Sequence, residues 1–222
     1  MLVVIFSYNR EEMLINLIEE INGRYEVIVI DDGSEFKSKT DLDLLKIGFI
    51  RTGHEGKRGF WKKWVMARQL ALGSNHDNFL FIPDDISKLD LETIEAVNSQ
   101  GWDEHLYAIN VINCGRDHCW GLWNTAQEDF EINGKTFFEV GFTDCGMLTN
   151  RHTMKYVDID QVPDKWFERP DISSGVGFNM TTTMRQVGVK MMMVKEGLCF
   201  HGDHDSQMHP EERKRQPLKS KE

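Results

Sequence analysis

The sequence predicts an α/β fold: a single domain with a mainly parallel central sheet and flanking helices. Three observations carry this expectation. Val27-Ile28-Val29-Ile30 and Phe79-Leu80-Phe81-Ile82 are apolar runs without alternation, the pattern of strands buried on both faces of a parallel sheet. Strand and helix signals alternate at short intervals through residues 1–100, as βαβ units do. Each apolar run also ends in acid, Asp31-Asp32-Gly33-Ser34 and Pro83-Asp84-Asp85, and open α/β sheets bind ligands at the C-terminal ends of their strands.

Residues 2–6 read as the first strand. Residues 11–21 read as a helix, with Leu14, Leu17, Ile18 and Ile21 at helical spacing, and Asn22-Gly23 stops it. Residues 25–30 form the second strand, and the polar connector 34–41 leads to a short third strand at 47–50. A helix over 59–72 closes at Gly73-Ser74-Asn75, and the fourth strand follows at 79–82. Residues 90–97 form a short helix with Asp90 as N-cap and Glu92 and Glu95 behind it. The character changes after Gly101. A strand over 106–112 is expected, then a hairpin in which Asn133-Gly134 joins Phe130-Glu131-Ile132 to Lys135-Thr136-Phe137. Helices are expected at 150–157 and 181–186 and strands at 189–194 and 198–200, with a charged tail at 209–222.

The chain has 222 residues, of which 40% are hydrophobic and 28% charged, ordinary values for one globular domain. The apolar N-terminus meets Asn9, Arg10 and Glu11 at once, too soon for a signal peptide or membrane span. Cys114, Cys119, Cys145 and Cys199 make no CxxC pair and no disulfide framework, which points to a reducing cytoplasm. Cys114, His118 and Cys119 could hold zinc, but their spacing suits no common finger. The net charge of −10 opposes general binding of phosphate backbones. Residues 51–68 run against that balance: Arg51, Lys57, Arg58, Lys62, Lys63 and Arg68 face the single acid Glu55, with Phe60, Trp61 and Trp64 among them.

Four stretches in order resemble the GT-A glycosyltransferases, especially family-2-like enzymes. They are VVIFSYNR (residues 3–10), VIVIDDGS (27–34), HEGKRGFWKKWVMAR (54–68) and FLFIPDD (79–85). The resemblance implies a metal-dependent glycosyltransferase that moves a sugar from a nucleotide-sugar, a UDP-sugar above all, to an acceptor hydroxyl with inversion. Residues 1–100 would then be the nucleotide-sugar-binding half and residues 101–208 the acceptor-binding and catalytic half. Ser7, Tyr8 and Arg10 would meet the base, and Asp31 with its neighbour Asp32 the base or ribose. The other reading of these acids, Asp32 more than Asp31, is a turn in which Asp serves as an Asx cap. Gly56, Lys57 and Gly59 would lie near the diphosphate at a helix start, where backbone N–H groups favour anions. Asp84 and Asp85 stand at the family's metal-binding acids, with Asp84 also near the nucleotide. The first acid of the usual triplet is replaced by Ile82-Pro83, so which carboxylate touches the Mn²⁺ or Mg²⁺ stays open. His201, with His204 second, fits a late metal ligand.

The catalytic base is the least defined residue, because the family's Glu-Asp pair before an Arg-bearing helix is absent: Phe178-Asn179 precede Arg185. Asp171 is favoured, with Glu168 and Asp144 as the others. Trp120, Trp123 and Trp166 could stack on an acceptor ring or lie in the core. The acceptor is open: a glycan, a protein, a small metabolite or a hydroxymethylated base in DNA, the last kept by the basic segment and disfavoured by net charge. Two other functions stay in view. A sugar-nucleotidyltransferase would normally carry a glycine-rich phosphate loop where Ser7-Tyr8-Asn9-Arg10 stands. A non-catalytic nucleotide-sugar-binding module would explain the incomplete motifs.

Overall fold

The computed structural model describes residues 1–21, 23–35, 47–100, 105–112, 130–141, 146–157, 159, 176–194 and 196–201, with backbone alone for 56–57 and 176–179. Its centre is strand β1 (Leu2–Ser7), paired in parallel with β2 (Glu26–Asp31) on one side and β4 (Asn78–Pro83) on the other. Strand β3 (Gly48–Arg51) adds to β2, also in parallel.

Both faces of β1 are covered, which is why its sequence shows no alternation. Val3 and Ile5 pack with Val27, Val29 and the Leu14, Leu17, Ile18, Ile21 stripe of helix α1 (Glu11–Ile21). Leu2, Val4 and Phe6 pack on the other face with Phe79, Phe81 and helix α2 (Gly56–Gly73), which contributes Trp64, Ala67 and Ala71. Trp64 is 2% exposed and its ring centroid lies 4.7 Å from Phe6 and 5.3 Å from Phe81. Burial of each such side chain is worth about 1.5–3 kcal/mol, so α2 is fixed on the sheet from its third turn onward. That matters because α2 begins beside the strand ends.

The second half of the sheet is mixed. Strand β9 (Met147–Asn150) runs antiparallel between β4 and β6 (Tyr107–Asn110), and β10 (Lys190–Val194) lies parallel to β6. The expected hairpin forms as β7 (Phe130–Ile132) and β8 (Lys135–Glu139), with β8 pairing antiparallel to β10. Helix α3 (Leu91–Asn98) has its predicted cap: Asp90 accepts from the Thr93 N–H at 3.0 Å and the Thr93 hydroxyl at 2.8 Å. Helices α4 (Arg151–Tyr156) and α5 (Val176–Gln186) complete the described elements.

Three sequence expectations need correction. Strand β9 was not expected, because Met-Leu-Thr-Asn is short and half polar. Its polar half is satisfied internally: the Thr149 hydroxyl donates to the Tyr107 carbonyl at 2.6 Å and the Asn150 amide to the His105 carbonyl at 2.9 Å. Helices α2 and α5 begin at Gly56 and Val176 rather than at 59 and 181, since glycines that weaken a helix start do not forbid one. The late strand at 198–200 contracts to β11 (Phe200–His201), which pairs antiparallel with the two-residue β5 (Ile86–Ser87). Among the described residues no helix is long and apolar enough to cross a membrane.

Candidate active site

The register sets the site. Ser7, Asp31 and Arg51 are level across β1, β2 and β3, and Phe6 is level with Pro83 of β4. The chain after each strand therefore opens on one edge. The ladder runs one step further there, with the Asp32 N–H donating to the Ser7 carbonyl at 2.9 Å and the Asp84 N–H to the Phe6 carbonyl at 3.0 Å.

Asp84 is 1% exposed and fully engaged. Its Oδ2 accepts from the Ser7 hydroxyl at 2.8 Å and the Tyr8 N–H at 3.0 Å, while Oδ1 meets Arg10 Nη1 at 3.0 Å. Ser7, Tyr8 and Arg10, expected at the base, are thus fastened to Asp84 through a hydroxyl, a backbone N–H and a guanidinium. The same Arg10 nitrogen lies 3.1 Å from Asp85 Oδ2, so one guanidinium bridges the two carboxylates. Burial pushes the Asp84 carboxyl up to about 6, against the lowering effects of Arg10, Ser7 and Tyr8. Burial also works to raise Asp85, but the His201 imidazole and Arg10 outweigh it and hold Asp85 below the ordinary carboxylate range.

Asp85 differs from Asp84 in one further respect. Its Oδ1 is buried and its contact with His201 is long, with Nε2 standing 3.4 Å from it. A buried carboxylate oxygen facing an imidazole nitrogen at that distance suits a shared cation. Pairing of β5 with β11 fixes this juxtaposition, because Ile86 is level with His201 and follows Asp85 directly. Among the described residues no three His, Cys, Asp or Glu side chains form a complete ligand set. A cation at Asp85 and His201 would take its remaining ligands from phosphate oxygens and water, as Mg²⁺ and Mn²⁺ do with nucleotides.

The two acids of the first motif separate because neighbouring strand-end residues point to opposite faces. Asp31 is 0% exposed and lies in a closed turn. It accepts from the Ser34 N–H at 3.0 Å and from the Ser34 hydroxyl, and Arg51 Nε meets it at 3.0 Å. This is the turn-cap arrangement, reinforced by an ion pair. Asp32 turns toward α2, where its Oδ1 pairs with the ammonium of Lys63, both side chains being almost wholly buried. Its Oδ2 meets His54 Nδ1 at 2.8 Å, and the His54 ring lies stacked on Tyr8 with centroids 4.4 Å apart and planes 8° apart.

Two glycines make this possible. Gly33 has φ +75°, and a Cβ there would stand 3.0 Å from the Thr52 carbonyl and 3.1 Å from the His54 N–H nitrogen, so it lets residues 52–54 close on the Asp31 turn. A Cβ at Gly59 would stand 2.9 Å from Glu55 Cβ and 3.4 Å from Lys63 Nζ, so its bare backbone leaves room for the buried ammonium.

Sequence reasoning missed His54, Lys63 and the placement of Arg10 between the acids. A lysine on a helix facing a basic run reads as solvated, and only the apolar neighbour Trp64 hinted that Lys63 lies on an inward face. Gly56 lies in the first turn of α2 with Lys57 after it, and their side-chain surroundings lie outside the described residues, as do Asp144, Glu168, Asp171, His204, Trp120, Trp123, Trp166 and the Cys114–His118–Cys119 group. Cys199 is half-buried with its Sγ 3.5 Å from the Val111 carbonyl.

A sheet of this order, with acids after β2 and β4, defines the GT-A glycosyltransferase fold. Solved structures bear this out. A mannosyltransferase from Pyrobaculum calidifontis, solved with GDP-mannose and Mn²⁺, superposes with a TM-score of 0.58 at 11% identity, over 94% of this chain and 58% of that one. TarS from S. aureus, residues 1–349, gives 0.57 at 14% identity over 89% of this chain and 58% of that one. The galactosyltransferase LgtC, solved with donor and acceptor sugar analogues, gives 0.50 at 14% identity over 86% and 73%. This chain thus spans little more than half the length of the first two, and at such identities the likeness concerns the fold. No protein-family model and no curated protein sequence matches the chain.

Proposed function

We propose that this protein is a metal-dependent glycosyltransferase that moves a sugar from a nucleotide-sugar donor, a UDP-sugar in the first instance, to an acceptor hydroxyl with inversion at the anomeric carbon. The observation that carries the proposal is the buried Asp85 Oδ1 facing His201 Nε2 at 3.4 Å at the end of β4. Bound Mn²⁺ or Mg²⁺ would offset the charge that develops on the departing diphosphate. Asp85 and His201 are the residues that would hold it. Asp84, with its oxygens taken by Ser7, Tyr8 and Arg10, is a positioning residue that anchors the loop after β1. Arg10 keeps the paired acids compensated and would stand beside the diphosphate.

The acceptor proton requires a carboxylate in the acceptor half, and Asp171 is proposed for it, with Glu168 and Asp144 as alternatives. The dispersed cysteines suit a reducing compartment, the cytoplasm. The test is a diphosphate-release assay with UDP- and GDP-sugars, with Mn²⁺ and with a chelator, against glycan and hydroxymethylated-DNA acceptors. Metal-dependent release that rises with one acceptor supports the proposal. Release of pyrophosphate from a nucleoside triphosphate and a sugar phosphate would instead make it a nucleotidyltransferase, and donor binding without turnover a binding module.

A further inference from the structure

The His54 ring makes two contacts: a parallel stack on Tyr8 at 4.4 Å, and an N–H aimed at Asp32 Oδ2 at 2.8 Å. Ionised Asp32 only accepts, so Nδ1 carries the hydrogen. A planar face on an aromatic ring and an in-plane ring N–H to a carboxylate are also the contacts by which a nucleobase would be held at this place. We infer that His54 occupies the nucleobase subsite, imitating the base, and that donor binding expels it; the inference rests on the nucleotide-sugar reading above.

Three features support the exchange. First, the rings are too close to admit a third plane between them, since a sandwiched base needs about twice the stacking distance. A base can therefore reach the Tyr8 face beside Asp32 only by removing His54. Second, Asp32 does not lose its compensation when His54 leaves, because Lys63 stays paired with its other oxygen. The vacated Oδ2 is then a charged acceptor directed at the Tyr8 face. Asp31 cannot serve, being closed within its turn by Ser34 and Arg51. Third, His54 has an open exit. Its side chain is 39% exposed, and Gly53 beside it is exposed with nothing within 4 Å of where a Cβ would lie. Thr52 meanwhile stays tied to the Asp31 carbonyl through its N–H and hydroxyl. The ring can swing out while the strand end holds still.

The chemistry also sets base preference. An acceptor-only carboxylate in the plane of the base selects a ring N–H, as on uracil N3 or guanine N1. Cytosine and adenine present an unprotonated ring nitrogen there, which would face the carboxylate lone pairs.

The experiment is calorimetric titration of the full chain with UDP, GDP, CDP and ADP in the presence of Mn²⁺, on the wild type and His54→Ala. The expected result is that UDP or GDP binds well ahead of CDP and ADP. Loss of the competing ring in His54→Ala should tighten that binding by about tenfold. A second measurement uses the wild type alone. The His54 ring C–H resonance, shifted by the Tyr8 ring, should move to a solvated position at saturating nucleotide. Equal or weaker binding by His54→Ala, or a His54 resonance unmoved at saturation, overturns the displacement and makes the ring a fixed platform. Equal binding of all four nucleotides overturns the role given to Asp32. A wild type that binds no nucleoside diphosphate refutes the glycosyltransferase reading itself, and this inference with it.

Discussion

Replacing Lys63 by Met should cost more stability than its place in a basic run suggests. The ammonium and the Asp32 carboxylate are each shielded from solvent, with side chains 2% and 3% exposed. Removing one partner of a buried pair typically costs about 3–5 kcal/mol, because the remaining charge stays buried without compensation. Here Asp32 keeps the His54 N–H, on a ring that is 39% exposed, so the cost falls somewhat below that range, at about 2–3 kcal/mol. In a domain of this size each kcal/mol moves Tm by roughly 2–4 °C, which gives a fall of about 5–10 °C. Thermal and urea melts of the wild type, Lys63→Met, Asp32→Asn and the double variant form a cycle. The double variant should recover much of the loss, since it buries no unpaired charge. A single variant within about 0.5 kcal/mol of wild type, or a double variant no better than the single, would refute the argument.

Asp31→Ala should behave as a turn-cap loss, lowering stability by about 1–3 kcal/mol while donor affinity changes little; a normal melt with lost donor binding would return Asp31 to base recognition. Asp85→Asn should abolish Mn²⁺ binding in calorimetry and turnover together, whereas wild-type rates in a chelator would remove the metal from the mechanism. The folded protein holds the Asp84 proton more tightly than the unfolded chain does, since the carboxyl is raised to about 6. That contribution is full below the unfolded pKa and is lost as pH rises toward 6. In chelator-treated protein, Asp84→Asn should therefore gain on the wild type by up to about 3 kcal/mol between pH 4 and pH 7, and a difference flat with pH contradicts this. Asp171→Asn should leave donor affinity intact and cost about 10²–10⁴ in kcat; if Asp144→Asn or Glu168→Asn does so instead, the role passes to that residue.

The first half of the fold was readable because its polarity pattern is forced by burial. A strand covered on both faces must be apolar through its middle, and β1, β2 and β4 are. The strand-end acids were visible for the same reason, as charges placed directly after such runs. What each acid does was not visible. Asp31 and Asp32 are neighbours in sequence, yet strand alternation sends one into a turn with Ser34 and Arg51 and the other to Lys63 and His54. Arg10 reaches Asp84 and Asp85 only because β1 and β4 are adjacent in the sheet, and local sequence holds no trace of that. Strand β9 escaped notice because four residues with two satisfied polar side chains make no period.

The small β5–β11 ladder has a consequence for how the protein can vary. It joins Asp85 to His201 by backbone pairing at Ile86 and Ser87, so their separation is set by the strand ladder and not by the loops between the elements. Loop-closure entropy grows only slowly with length, so insertions in the loops that join the elements between β5 and β11 should leave the two facing each other. On the proposed function, acceptor recognition could then change through those loops while the Asp85–His201 pair is kept. The same clasp exposes a weak point. A chain cut just before Phe200 would keep every residue placed around the base and lose one end of the cation site, uncoupling nucleotide affinity from metal response.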